Sequence, residues 1–513
     1  MTIAIARRWF TASGALVAEL ETGIAPATVF DQLCRLPHVL FLDSALVDPP
    51  EQDDDGMPSA PRLGRHSFVA ADPIHSVTLP TDDRPAERVA EALAAVRSLC
   101  ADLSCPTIPG LPPFQGGVAG LLSYECGLAR LGLAAPAVRA SMAPLLSLHV
   151  YDVVFAFDHD SGKGWAISQG VPARAAAARR ARADERLASI LAASTATGET
   201  THAASHHAAP APSPMATRFS YSLPNHPHVK ATHSRESYLR MVEQGIDSVR
   251  AGDIFQVNLA QHMTVSASVD PVGLYRAARS INPAPFAGYL DAGDVAIASM
   301  SPERFLQTAR GTVRMHPIKG TRRVTASPEA DLYAAEDLGA SEKDRAENVM
   351  IVDLVRNDLS RVCDPASVRV ESLCRLERYR YVQHLVSIVA GRLRRGLHAL
   401  DAVEAAIPGG SVTGAPKHRA CEIISDLEGM ARGPYCGSLG YIGFDGTADF
   451  NLLIRTLVVA PDAITFAVGG GITARSDPAA EYDETLHKAE GLLRVLDVAL
   501  ATRCGQLPAG GVR

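Results

Sequence analysis

Ser438-Leu-Gly-Tyr-Ile-Gly-Phe444, Phe450-Asn-Leu-Leu-Ile-Arg-Thr-Leu-Val-Val459 and Ala463-Ile-Thr-Phe-Ala-Val468 follow one another with no helical stretch between them. Each is a strand-length apolar run. Working outward, strand-like runs recur at 254–261, 295–300 and 382–389, and helical patterns at 236–251, 341–357, 402–406, 416–427 and 480–499. Strands and helices thus come in blocks without strict βαβα alternation, which predicts an α+β fold with antiparallel sheets rather than a doubly wound one.

The first 170 or so residues read as a separate mixed unit, with strands at 39–42 and 150–157 and a helix at 85–101. Residues 49–61 are acidic and proline-containing, as in a surface loop. Phe114-Gln-Gly-Gly-Val-Ala-Gly-Leu-Leu-Ser-Tyr-Glu125 has neither dinucleotide-fingerprint spacing nor a P-loop lysine, so its glycines imply close backbone packing. An Ala/Arg stretch then gives way to Ala, Thr, Ser, His and Pro. We expect 1–170 as an N-terminal region, 171–232 as a low-complexity linker, 233–500 as the catalytic unit and 501–513 as a tail. His202, His206 and His207 fit that linker better than a metal tract.

Composition narrows the function classes. The chain has 513 residues, 47% hydrophobic and 20% charged, with a formal net charge of −7. That is ordinary for a globular protein, and no basic stripe suggests a nucleic-acid partner. The nine cysteines are scattered without a CxxC pair, as in a reduced compartment. Arg7-Arg8 before Gly14-Ala-Leu-Val-Ala18 faintly resembles an export signal, but Glu19 and Glu21 interrupt it. No stretch reaches the ~18 uncharged apolar residues of a membrane span. A cytoplasmic protein is expected.

The residues able to carry chemistry are concentrated after Ser234. Asp344 and Glu347 are three apart in Lys343-Asp-Arg-Ala-Glu-Asn-Val-Met-Ile-Val-Asp353, and Glu481, Glu484 and Lys488 stand at i, i+3 and i+7. On helices each set shares one face. Either face alone reads as solvated; together they suit Mg²⁺, which takes one or two carboxylates and keeps waters, and with no His or Cys they point away from zinc. Pro408-Gly-Gly-Ser-Val-Thr-Gly-Ala-Pro-Lys417 opens a helix whose N-terminus can receive an anion, although it is not a Walker A sequence. Gly469-Gly-Gly471 closes a strand where a ligand can approach the backbone. Arg455, inside an apolar run, needs an anionic partner, either a substrate carboxylate or a structural acid. Glu303 follows a strand and suits a general acid/base. His384 lies alone in an apolar strand, where a hydrogen-bonded core role is the commoner one. Lys319, in Met315-His-Pro-Ile-Lys-Gly-Thr-Arg-Arg323, would need its ammonium deprotonated to act as a nucleophile, as burial can arrange. In a turn, such a lysine is usually a solvated charge.

As an ordered set, these segments resemble the chorismate-utilising enzymes from about Ser234 to Leu496, and within them the aminodeoxychorismate synthase component I branch. Phe41-Leu-Asp-Ser44, Ser67-Phe-Val-Ala-Ala-Asp-Pro73 and the Phe114–Glu125 segment extend the likeness more loosely. The resemblance implies large antiparallel sheets packed as a sandwich with helices outside. It implies Glu347 and Glu484 as Mg²⁺ ligands with Asp344 and Glu481 beside them. It further implies Ser411, Gly414, Tyr435, Arg455, Gly469, Gly471 and Lys488 around the substrate, and His384 and Glu303 in the active site. Pro317-Ile-Lys-Gly320 matches the aminating branch, where anthranilate synthases carry alanine. There the lysine is proposed to attack C2 of chorismate before ammonia enters at C4. Ammonia would come from a separate glutamine amidotransferase subunit, whose Cys-centred motif this chain lacks. Residues 46–63 lengthen the loop after Phe41-Leu-Asp-Ser44, and Asp43 stands where anthranilate synthases carry Glu, so tryptophan feedback is not expected. The competing readings are anthranilate, isochorismate or salicylate formation, and a non-catalytic chorismate-binding paralogue.

Overall fold

The computed structural model describes residues 3–46, 63–81, 85–139, 141–195, 219–324, 327–378 and 382–503. The loop expected at 49–61, the histidines at 202–207 and nearly all of the tail lie outside these residues.

The described residues form two antiparallel sheets, one of 14 strands and one of 10, with helices against them, as the block-wise order of elements predicted. The three opening runs show how they are built. Ser438–Gly443 pairs with Ala448–Asn451 in the smaller sheet, whereas Thr456–Val459 pairs with Ile464–Ile472 in the larger one. The stretch 450–459, read as one strand, therefore crosses between sheets through Leu452-Leu-Ile-Arg455. Arg455 forms the corner with φ +51°, and Met300 N–H donates to its carbonyl at 3.1 Å. The stretch 150–157 does the same: Leu146–Tyr151 belongs to the smaller sheet and Val153–Asp158 to the larger. Between them, buried Asp152 accepts from Arg186 Nε at 3.1 Å. A crossing strand is buried in both layers, so its sequence is largely apolar on either side of the corner residue and periodicity does not register the change of sheet.

The expected N-terminal and catalytic units are one body in both layers. Leu40–Asp43 pairs with Phe286–Asp291 in the larger sheet, and Gly117–Leu122 with Ser438–Gly443 in the smaller. Gly120, in the glycine-rich segment, has φ +147°, and a Cβ there would lie 2.0 Å from Ser147 O, so these glycines do serve close strand packing. The span 171–232 also contains more than a linker. Ala176–Thr195 is a helix that buries Ala183, Leu187 and Ile190 in the core beside the larger sheet. Tyr221–Leu223 and His226–Ala231 form a hairpin at that sheet's edge. Only 196–218 remain of the expected linker, outside the described residues.

The interior between the layers is filled by Leu40, Phe68 and Ile297 from one sheet and Leu121, Leu439 and Tyr441 from the other. Phe114 stacks on Tyr441 with ring centres 4.4 Å apart. Helices cover the outer faces. Pro271–Ile281 and Pro478–Arg503 bury Leu274, Tyr275, Leu492 and Leu496 on the larger sheet. Glu342–Ser360 buries Ile351, Val355 and Leu359 on the smaller, and starts where Ser341 Oγ accepts from Asp344 N–H at 3.2 Å. Among the described residues, no helix is long and apolar enough to cross a membrane.

Candidate active site

Lys319 lies on the edge strand Ile318–Arg323, which pairs with Val382–Arg392. The register slips between Lys319 and Thr321, where Gly320 takes φ +73°. A Cβ at Gly320 would meet Leu338 Cδ1 at 2.7 Å and Asp344 Cγ at 3.0 Å, so a glycine is needed for the strand to bulge here. Lys319 is half-buried, and its Nζ donates to Ser411 O at 3.4 Å. Burial lowers its pKa, with Lys488 acting the same way, while Glu347, Glu303 and Glu484 oppose the shift. The solvated-charge reading is set aside by this position.

Glu303 is 8% exposed and accepts from Ser411 Oγ at 2.8 Å. Burial raises its carboxyl to about 7, against the hydrogen bond from Ser411 and the charge of Lys319. A carboxyl titrating near neutrality, joined through one serine to a lysine, can both donate and accept a proton at physiological pH. Ser411 is placed by the short turn Gly410–Val412. That turn is tied down by Arg432, whose Nη1 donates to Val412 O at 2.9 Å while Nη2 meets Glu428 Oε1 at 2.6 Å. Lys417, at the start of helix Lys417–Glu428, is buried against Asp358 Oδ2 at 2.6 Å and Ala406 O at 2.8 Å. The side chain that opens this helix thus braces the turn from behind.

The acids converge on the same cleft from two helices. Glu347 comes from Glu342–Ser360, and Glu481, Glu484 and Lys488 from Pro478–Arg503. Lys488 Nζ bridges Glu484 Oε1 at 2.6 Å and Gly469 O at 2.8 Å. Burial raises the carboxyls of Glu347 and Glu481; for Glu484 burial is again the largest single influence, but Lys488, Lys343 and Lys319 together overcome it and the net shift is downward. Glu347 Oε1 is buried without a hydrogen-bond partner, a costly state for a carboxylate oxygen. No three of these acids bring carboxylate oxygens within 4.8 Å of one another. An all-oxygen donor set with one orphaned oxygen is of the kind that suits Mg²⁺ held by one or two acids and waters. Asp344 is close enough to Glu347 to help raise its carboxyl, and its own Oδ2 lies 3.5 Å from Arg322 Nη2.

The glycines divide the work differently from the sequence expectation. A Cβ at Gly469 would strike Leu259 O at 2.4 Å, and one at Gly414 would strike Gln256 O at 2.1 Å, so both are demanded by neighbouring backbone. Gly470, which the sequence reading did not single out, faces the acids: its Cβ would lie 3.0 Å from Glu481 Oε2. At Gly471 a Cβ would lie 2.2 Å from Gln256 Nε2 and 3.5 Å from Lys319 Nζ. Gln256 is therefore a residue of the cleft that sequence reasoning missed. It is 1% exposed and its Oε1 has no hydrogen-bond partner. Two amides, Gln256 and Asn258, alternating with Val257 and Leu259 at the start of strand Gln256–Val265 were the available signal.

His384 is buried opposite Thr321 and hydrogen-bonded to the Gly320 backbone. Burial and Arg455 lower its pKa to about 4, so the imidazole is neutral at physiological pH. Arg455 is half-buried at its corner, not enclosed in a strand as its sequence suggested. Tyr435 is turned toward Arg432 and Cys436, with the guanidinium 5.6 Å from its ring centre. A separate cavity of about 280 Å³ lies between the sheets, lined by Asp43, Ser44, Arg304 and Asn451. There Asp43 is already engaged by Arg279 Nε at 2.9 Å and the Tyr275 hydroxyl at 3.1 Å.

Comparison with known proteins gives the family. Anthranilate synthase component 1 of Thermus thermophilus is 37% identical over 490 residues, 94% of this chain and 97% of that one. Aminodeoxychorismate synthase component 1 of Klebsiella aerogenes is 38% identical over 385 residues, 75% and 78% of the two chains. Among solved structures, anthranilate synthase component I of Streptococcus pneumoniae superposes with a TM-score of 0.66 at 29% identity, covering 86% of this chain and 94% of that one. The family model described as chorismate binding enzyme matches residues 53–494. Every residue of the Lys319 cleft falls within that span, and the chain belongs to the chorismate binding enzymes.

Proposed function

We propose that this enzyme aminates chorismate at C4 to give 4-amino-4-deoxychorismate, the p-aminobenzoate branch of folate synthesis, with Lys319 as a covalent nucleophile. The observation that carries the reading is the amine itself: Lys319 Nζ sits beside Gly471 and donates to the backbone carbonyl of Ser411, the residue whose hydroxyl donates to Glu303. Its lowered pKa raises the share of neutral amine able to attack carbon. Nζ forms a bond to C2, the ring double bond shifts, and the C4–O bond breaks. Glu303 protonates the departing oxygen, which leaves as water. Ammonia then bonds to C4, the double bond shifts back and the C2–N bond breaks, releasing Lys319. Glu303 takes the surplus proton from nitrogen and is reset. The enolpyruvyl group is untouched throughout.

The residues around this step have roles that follow from their positions. Gln256 Oε1, buried and without a partner, can accept an N–H from ammonia. The neutral His384 imidazole and Arg455 lie together beyond Gly320, on the side where a substrate carboxylate would need neutralising. Glu347 and Glu484 would hold Mg²⁺, which when bound supplies positive charge to the ring carboxylate. Relatives named component 1 imply a second component, and we take ammonia to arrive from a separate glutamine amidotransferase subunit in a heterodimer.

Anthranilate formation is the second reading, favoured by the near full-length similarity to an anthranilate synthase. Mass spectrometry separates the two. Purified chain with chorismate, Mg²⁺ and ammonium should yield aminodeoxychorismate without pyruvate, and Lys319→Ala should reduce that product to background. Anthranilate with stoichiometric pyruvate overturns the assignment, and unchanged turnover of Lys319→Ala removes the covalent step.

A further inference from the structure

Far along the helix that carries Glu484 and Lys488, a second group of ligating side chains comes together. His226 and His228, two residues apart on strand His226–Ala231, project to the same side, and both rings reach one oxygen of Asp497 on helix Pro478–Arg503. His226 Nδ1 lies 3.6 Å and His228 Nε2 3.5 Å from Asp497 Oδ1, with the ring centres 6.0 Å apart at 76°. Among the described residues this is the only set of three His, Cys, Asp or Glu whose ligand atoms all lie within 4.8 Å of one another. The thirteen residues from Glu484 to Asp497 span about 20 Å of helix, so the group is distinct from the catalytic cleft.

We propose that His226, His228 and Asp497 form a binding site for a borderline divalent metal of the Zn²⁺ class, stapling the Tyr221–Leu223/His226–Ala231 hairpin to the long C-terminal helix. Two imidazoles and one carboxylate are a donor set suited to Zn²⁺ and its neighbours, and poorly suited to Mg²⁺ or Ca²⁺. A tetrahedral Zn²⁺ with ligands at about 2.0–2.1 Å needs donor atoms about 3.3 Å apart. The two contacts to Asp497 are within 0.3 Å of that spacing. All three side chains are partly exposed, with relative exposures of 25%, 40% and 46%, so small rotations can close the set and leave the fourth position to water. The hairpin contains the sheet's edge strand, held there by one neighbour, and a metal bridge to the helix would pin an edge that otherwise frays.

The test is titration of the full chain, stripped with chelator and then supplied with excess Mg²⁺, with Zn²⁺ by calorimetry and with Co²⁺ by visible absorption. One equivalent should bind at micromolar or tighter affinity and raise Tm by a few degrees, because a ligand bound only to the folded state stabilises it. His228→Ala and Asp497→Asn should each weaken that binding at least tenfold and abolish the Tm rise, leaving turnover of chorismate as it was. Binding seen only at millimolar metal, or unaltered in both variants, overturns the proposal. Since the variants lie outside the cleft, failure here would not bear on the reaction assigned to Lys319.

Discussion

Replacing Glu303 by Gln separates what this carboxyl does for catalysis from what it costs the fold. Glu303 is 8% exposed and its pKa is raised from 4.5 to about 7 by burial. A carboxyl whose folded pKa lies above its unfolded one stabilises the fold below about pH 4.5 and loses that contribution as pH rises to about 7. The shift corresponds to about 3 kcal/mol at pH 8 and under about 1 kcal/mol at pH 5. Gln has nearly the same shape, can accept from Ser411 Oγ and cannot ionise. Glu303→Gln should therefore be more stable than the native enzyme at pH 8 by up to about 3 kcal/mol, with most of the gain gone at pH 5. For 513 residues the unfolding entropy is about 1.1 kcal/mol per degree, so Tm should rise about 3 °C at pH 8. Turnover should fall about 10²–10⁴-fold, the usual worth of a general acid/base. Calorimetry at the two pH values, alongside product formation, reads both effects. A Tm difference that is the same at pH 5 and pH 8 would refute the raised pKa, and retained turnover would refute the proton-transfer role.

Other perturbations probe the rest of the cleft. Glu347→Gln and Glu484→Gln should each raise the Mg²⁺ concentration for half-maximal activity or abolish it; native metal dependence in both would refute the ligand assignment. Lys417→Met should destabilise the fold by about 3–5 kcal/mol in denaturant titration, because it strands the buried Asp358 carboxylate. Adding Asp358→Leu should recover most of the loss, and a double variant no better than the single would show that the pair is not coupled. Gly471→Ala places a methyl 2.2 Å from Gln256 Nε2, the mobile end of a side chain. It should raise KM for chorismate with little change in Tm, whereas Gly120→Ala, whose methyl meets Ser147 O at 2.0 Å, should lower Tm without selective effect on KM.

The sequence alone determined the elements and the inventory of chemistry. Block-wise strands, the helix near 341–357 and the glycine-rich turns are encoded by near neighbours, and local rules read them to within a few residues. The acids at i, i+3 spacing predicted one helical face each, and each face does reach the cleft. Only the tertiary structure decided where runs change sheets, because a strand buried in both layers is largely apolar on both sides of the Asp152 and Arg455 corners, and one charged residue does not by itself mark a turn. It also decided that the N-terminal region is continuous with the rest, since Leu40–Asp43 and Gly117–Leu122 find their partners more than 240 residues away. It brought Gln256 and Gly470 into the cleft and assigned Gly414 and Gly469 to backbone packing. Above all it set the ionisation of Lys319, Glu303 and His384. A side chain's pKa depends on how far water is excluded and which charges stand nearby, and both depend on chain segments remote in sequence.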